Sequence, residues 1–165
     1  MVWVLRQILL GIHILLAIIW VGGVLFVGWG VYPASKKLAA HHQRTFLKAL
    51  MQWTHHLFTL AGVGVIITGV ILGTVLGPLN SWADVYSTAY GRIWLTALIS
   101  ALLTLGWGVF ISYRQAMKVF ANERLWITAE NGDAKPLNKA MLLIAGIESI
   151  EVFGFLLLIG CMILL

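Results

Sequence analysis

Charged side chains are scarce in this sequence. Lys, Arg, Asp and Glu make up 10% of the 165 residues, whereas hydrophobic residues make up 61%. Between Lys48 and Asp84 there is no Lys, Arg, Asp or Glu at all. Soluble domains carry about 25% charged residues, so this composition excludes an ordinary soluble fold. It predicts a polytopic membrane protein.

Cysteine is also nearly absent. The chain has one cysteine, Cys161, which excludes an intramolecular disulfide and a cysteine-based metal cluster within one chain. There is no second compositional regime either, and the polar connections are short. We therefore expect a single domain over residues 1–165.

Four apolar runs are long enough to cross the membrane, since about 30 Å of hydrocarbon takes ~20 helical residues. They cover roughly residues 8–32, 56–77, 93–113 and 140–164. In lipid the backbone must satisfy its own hydrogen bonds, which favours helices. The predicted fold is all-α, a polytopic membrane four-helix bundle.

The connections between these runs differ in charge. The first has Lys36, Lys37, Arg44 and Lys48 without an acid, and the third has five basic residues against three acids. By the positive-inside rule both face the cytoplasm, so both termini lie outside. The first run is too long for a signal-peptide core and is interpreted as a retained span.

The net charge of +5 is explained by this topology and by anionic lipid headgroups, so we expect no nucleic-acid partner. The expected location is a bacterial-type cytoplasmic (inner) membrane, with the lipid bilayer as the main partner.

A single histidine, His13, lies in the first apolar run. An ionisable side chain inside a membrane span is costly and marks a candidate functional site. Trp20 shares its helical face, and Gly23 lies beside that face and lets a flat ligand or another helix come close. The pattern predicts a haem or metal ligand at His13, with a histidine merely hydrogen-bonded inside the bundle as the alternative.

Two more histidines, His55 and His56, stand at the edge of the second run. They point about 100° apart on a helix, so one would face the interior as a second ligand or both would anchor the interface. They lie roughly 15–20 Å from His13 along the membrane normal and should not bind the same iron. His41 and His42, in the first connection, are interpreted as solvated surface. The third run has no ionisable residue and is interpreted as scaffold.

Two carboxylates, Glu148 and Glu151, occupy the fourth run ~14–18 Å beyond Lys139, close to the midplane. One turn apart in a bilayer, they cannot both be ionised without a large cost. We interpret them as proton-handling groups or as partners that orient a histidine. A polar clasp between helices is the alternative.

Four other residues complete the candidate site at the outer end. Arg6 and Arg92 are natural partners for haem propionates. Cys161 and Met162 are soft donors at a depth near His13, so these two and His13 form an alternative copper site.

Three short motifs in the chain resemble those of the CopD-like superfamily. Residues His13–Gly23 place a membrane histidine seven residues before a Trp-x-Gly-Gly motif, and Thr68–Gly69 and Tyr90–Arg92 are two further marks. Relatives in that group include copper-resistance D proteins, small membrane proteins of unknown function and HemJ-type haem-binding protoporphyrinogen oxidases. The resemblance implies that His13 is the haem or metal ligand and that Arg92 is a charged partner.

Taken together, these features predict an integral membrane protein that binds b-type haem. It would act in electron transfer or as a haem-bearing subunit of a membrane complex, with other redox subunits or a second copy as partners. Copper transport or homeostasis is the first alternative. A HemJ-like oxidase and a non-catalytic structural subunit are the others, so oxidoreductase activity stays open.

Overall fold

The computed structural model describes residues 2–165, and all regular structure in that range is helical. Six helices follow one another there. They are α1 (Val2–Ser35), α2 (Ala40–Gly73), α3 (Trp82–Ser87), α4 (Ala89–Ala121), α5 (Glu123–Glu130) and α6 (Lys135–Leu164). The prediction of an all-helical chain is confirmed.

Helices α1, α2, α4 and α6 are long and apolar enough to cross a membrane. They match the four predicted runs, and the expectation of a multi-pass membrane protein is confirmed to that extent. The expected second span, 56–77, runs too far, because α2 ends at Gly73. Gly77 then folds against the carbonyl oxygens of Leu72 and Gly73, where a Cβ atom would overlap both.

The first connection is also shorter than expected. It comprises residues 36–39, and the placement of His41 and His42 in a loop is wrong, since both lie in the first turn of α2. This helix has 34 residues, which extend ~51 Å at 1.5 Å per residue. That length exceeds ~30 Å of hydrocarbon, so the basic segment forms a helical extension of the span.

Consecutive spanning helices pack against each other: α1 on α2, α2 on α4, and α4 on α6. The first and last helices, α1 and α6, approach each other less closely. They meet in the central core, where Trp20 packs edge to face on Phe155 with ring centroids 5.3 Å apart. Helix α1 therefore packs less closely on α6 than the consecutive spanning helices pack on each other.

A short helix covers one end of the bundle. We call the end with connections 36–39 and 122–134 the basic end, and the opposite end, with residues 74–88, the aromatic end. Helix α5 covers the basic end through Trp126, which is buried and donates from Nε1 to the Val119 carbonyl at 3.1 Å. It is tied to the start of α2 by an ion pair of 3.1 Å between Arg44 and Glu123.

Three π-helical turns widen the spanning helices. They are Ile18–Gly22 and Val27–Val31 in α1, and Gly108–Ser112 in α4. The first predicted run ends at residue 32, yet α1 continues through Pro33 to Ser35. A wider turn just before Pro33 accommodates the missing N–H and the ring that would otherwise clash with the preceding turn.

Candidate functional site

A cavity of about 270 Å³ opens among α1, α2, α4 and α6 near the aromatic end. We call it the histidine cavity, because His13 lines it. Its walls are mostly apolar, and four other side chains supply charge, aromatic donors or sulfur. These are Arg6, Tyr90, Trp94 and Met162. Small-molecule sites begin near ~300 Å³ and combine apolar walls with a few polar groups in the same way.

His13 is held by one hydrogen bond to a neighbouring helix. It is 7% exposed, and its Nδ1 lies 2.7 Å from Thr68 Oγ1 on α2. The Thr68 hydroxyl donates its only proton to the Gly64 carbonyl at 2.7 Å. We therefore assign the His13 proton to Nδ1, donating to Thr68, which leaves the Nε2 lone pair free to bind a metal.

Gly69 makes room for the His13 ring. A Cβ atom at position 69 would lie 3.3 Å from His13 Cε1. The Gly69 carbonyl also accepts a hydrogen bond of 3.2 Å from Trp94 Nε1. One glycine thus sets the distance between three helices at the histidine.

The two predicted propionate partners are in different places. Arg6 lines the histidine cavity. Arg92 lies outside that wall and donates from Nη1 to the carbonyls of Tyr86 and Ser87, at 3.2 Å each. Arg92 therefore joins α3 to α4, and Arg6 is the cation that lines the same cavity as His13.

The two soft donors, Cys161 and Met162, also lie in different places. Met162 lines the histidine cavity with His13. Cys161 is 6% exposed and packs in the central apolar core with Trp20 and Phe155. The structure brings together two of the three residues of the alternative copper site.

A second cavity, of about 80 Å³, lies between the central core and the basic end. We call it the glutamate cavity, because Glu148 and Glu151 both line it. His55, Tyr113 and Ser112 contribute further polar groups. All three π-helical turns reach its wall, and such turns are frequent at functional sites.

The carboxylate of Glu151 lies flat against the backbone of α4. A Cβ atom at Gly108 would lie 3.1 Å from one carboxylate oxygen and 3.2 Å from the other. One turn further along α4, Ser112 is 6% exposed, and its hydroxyl lies close to the Glu151 carboxylate but forms no hydrogen bond of good geometry with it or with any other group among residues 2–165. An unpaired hydroxyl buried beside a carboxylate is rare in native proteins and calls for an explanation.

The remaining predicted ligands belong to this second region. His55 stacks on Tyr113 with ring centroids 3.8 Å apart, whereas His56 is exposed. Trp20 lines the glutamate cavity. Gly23 lies against the ring of Phe58, where a Cβ atom would overlap the ring.

The two cavities are separated by the central core. Trp20 faces the glutamate cavity, while Val65, Ala97 and Leu158 face the histidine cavity, and all four belong to one contiguous apolar cluster. His13 and His55 therefore line different cavities.

Within residues 2–165 no three His, Cys, Asp or Glu side chains come together where a metal ion could be held. A bare ion usually needs three or four protein ligands. Haem needs only one or two axial ligands from the protein. The histidine cavity offers one such side chain, His13, whose Nδ1 is hydrogen-bonded to Thr68.

Two partners in these cavities escaped the sequence analysis. Thr68 was noted only as part of a short motif. Its contact with His13 depends on the register between α1 and α2. Ser112 lies in a span interpreted as scaffold, although α4 contributes to both cavities.

Comparison of the chain with protein-family models, curated proteins and solved structures finds no match.

Proposed function

We propose that this protein binds b-type haem through His13 Nε2 and acts in electron transfer, or as the haem-bearing subunit of a membrane complex. The observation that carries the proposal is the buried His13 ring, fixed through Nδ1 by Thr68 at 2.7 Å and bordering a cavity of about 270 Å³. A hydrogen bond at the second ring nitrogen is the usual way to orient a ligating histidine.

The other residues of the cavity support this proposal by their chemistry. Arg6 can form charge-assisted hydrogen bonds with propionates, and Trp94 and Gly69 line the same cavity as the imidazole. Haem, when bound, would supply a one-electron carrier. The chain's own part is to fix the ligand, neutralise the propionates and exclude water.

Glu148 and Glu151 are proposed to handle protons for the same protein. No Lys or Arg lines the glutamate cavity, so the carboxyls have reason to stay protonated. A proton held or taken up there would offset the charge change when an electron arrives.

We further propose that the basic end faces the cytoplasm of a bacterial-type inner membrane and that both termini lie outside. The basic residues near both connections support this orientation. Single cysteines introduced at Lys37 and Arg124 in a Cys161→Ser background should resist an impermeant thiol reagent added to intact cells. Labelling at both sites from outside would reverse the topology.

Copper binding is the second candidate, favoured by the presence of His13 and Met162 in one cavity. An absorption spectrum of the protein purified after expression with added haem separates the candidates. A Soret band supports haem binding. Bound copper without a Soret band supports the second candidate, and neither supports a structural subunit.

A further inference from the structure

The glutamate cavity holds two carboxyl groups without a cationic partner. Neither Glu148 nor Glu151 forms an ion pair within residues 2–165. The other titratable groups that face them are His55 on α2, Tyr113 on α4 and Tyr32 on α1. A buried carboxylate needs a proton or a cation to neutralise it.

A second observation points to a ligand at this place. The Ser112 hydroxyl is buried, lines the cavity and forms no hydrogen bond of good geometry among the described residues. It can accept a hydrogen bond or donate one to a carboxylate. A ligand that donates several hydrogen bonds would satisfy Ser112 and Glu151 together.

The walls favour an organic cation over a metal ion. Trp20, Phe58 and Tyr113 line the cavity together with aliphatic side chains. Aromatic faces attract ammonium groups, whereas hard metal ions require a shell of oxygen ligands and bound water. An ammonium group has both the charge and the donors that this cavity lacks.

There is also space for the apolar body of such a ligand. A neighbouring cavity of about 170 Å³ shares Glu148, Val24 and Met51 with the glutamate cavity. Its wall includes Trp29, which is 71% exposed, and Ser149, also exposed. This space lies between α1 and α6, which pack less closely than the consecutive spanning helices do, so it is open to the bilayer side.

We propose that the glutamate cavity binds a small organic ammonium ion with an apolar body, which enters from the lipid between α1 and α6. Binding exchanges the ammonium for a carboxyl proton. The O–H bond of Glu148 or Glu151 breaks, the proton leaves to water at the basic end, and the carboxylate pairs with the intact ammonium. No covalent bond to the ligand forms, and no electron moves.

The proposal builds on the proton-handling role of the carboxyls and is independent of haem. Phenethylammonium is a suitable probe, with phenethyl alcohol as its neutral counterpart. Calorimetric titration of the purified wild-type protein in a non-ionic detergent should show saturable binding of the ammonium and none of the alcohol. In weak buffer, proton release of up to about one per bound ammonium accompanies it, and affinity rises with pH while the carboxyls are protonated.

Variants test which groups bind the probe. Glu148→Gln and Glu151→Gln should each weaken binding at least about tenfold, and the double variant should abolish it. Glu151→Asp should retain binding and proton release, and Ser112→Ala should weaken binding about threefold to tenfold. Glu130→Gln, at an exposed carboxylate of the basic end, is the matched control and should bind as wild type does.

Four results would overturn the proposal. They are equal binding of the alcohol, binding that survives the double Glu→Gln change, no saturable binding to a wild-type protein that elutes as one species, and displacement of the probe by sodium chloride but not by choline chloride at equal ionic strength. The last would assign the cavity to a small metal ion. None of these readouts uses a haem signal, so failure here is distinguishable from failure at His13.

Discussion

The histidine and glutamate cavities are lined by the same four helices but differ in how their polar groups are paired. At the histidine cavity the ionisable ring has a fixed partner, Thr68, and a nearby cation, Arg6. At the glutamate cavity the two carboxyls have no cationic partner, and the Ser112 hydroxyl forms no hydrogen bond of good geometry among the described residues. This difference is the basis of our proposal that one site holds a ligand in place and the other exchanges charge.

The largest effect should come from filling the space beside His13. Gly69→Val would place side-chain atoms against the imidazole, since a Cβ atom alone would lie 3.3 Å from Cε1. Overpacking costs about 1–3 kcal/mol, so haem affinity should fall about 5-fold to 150-fold if this cost falls on the ligated position of the ring. Haem titration of the apo-protein measures it.

Two glycine variants serve as controls for that experiment. Gly11→Ala on α1 meets no other atom within 4 Å and should bind haem as wild type does. Gly108→Val crowds Glu151 instead, and should spare haem affinity while impairing the glutamate cavity. Equal loss of haem in all three variants would contradict the separation of the cavities.

Removing the partner of His13 should have an effect of similar size. Thr68→Val removes the hydroxyl that accepts from Nδ1–H, and loss of such a partner lowers metal affinity by about 10–100-fold. Thr68→Ser keeps the hydroxyl and should restore most of the affinity. If Thr68→Val and Thr68→Ser bind haem equally well in titrations, the Nδ1 hydrogen bond has no role in ligation.

A moderate effect is expected on the pH dependence of the haem midpoint potential, because the proposed function couples the two cavities. The haem midpoint potential should fall as pH rises, by up to ~59 mV per unit for one proton per electron. Protonated carboxyls at Glu148 and Glu151 favour the reduced form at low pH, and their ionisation removes that advantage. Redox titrations from about pH 5 to about pH 9 measure the slope, which Glu→Gln at the responsible position should flatten. A slope that survives both changes would return these residues to a structural role.

The spans were predictable because helix formation in lipid is decided locally. A run of apolar residues must satisfy its own backbone hydrogen bonds, wherever its neighbours lie. The ends of α2 were not predictable in this way. A hydropathy profile does not detect that a polar segment, such as residues 40–51, can extend a helix beyond the bilayer. The candidate ligand His13 was predictable for a related reason, since a lone ionisable group stands out in an apolar run.

The partners of these residues were not predictable, because they depend on how helices align. The contact of His13 with Thr68 requires α1 and α2 to pack in one register, and nothing local encodes it. The π-helical turn at Gly108–Ser112 has no signature in the residues around it, yet it shapes the wall on which Glu151 lies. The looser packing between α1 and α6 is likewise a property of the assembled bundle.

The smallest effect should come from a change outside both cavities. The Ser81 hydroxyl and the backbone N–H groups of Ser81 and Asn80 hold the pKa of the Asp84 carboxyl below its usual range. The folded-state pKa is depressed, so this stabilisation of α3 is present above ~pH 4, the pKa of the unfolded chain. It is lost as pH falls through the lower folded value.

Amide hydrogen exchange in α3 should therefore be steady from neutral pH to about pH 4 once corrected for the intrinsic pH dependence, and faster below it. Ser81→Ala should raise exchange in α3 at neutral pH and leave haem and ammonium binding unchanged. A loss of either ligand in Ser81→Ala would show that α3 supports a cavity.

The most direct test of the central claim is the haem content of His13→Ala relative to wild type, both purified from the membrane fraction after expression with added haem. The Soret absorbance per protein should fall to background in His13→Ala, while the amount of membrane-inserted protein stays the same. Full Soret absorbance in His13→Ala would contradict the assignment of His13 as the haem ligand.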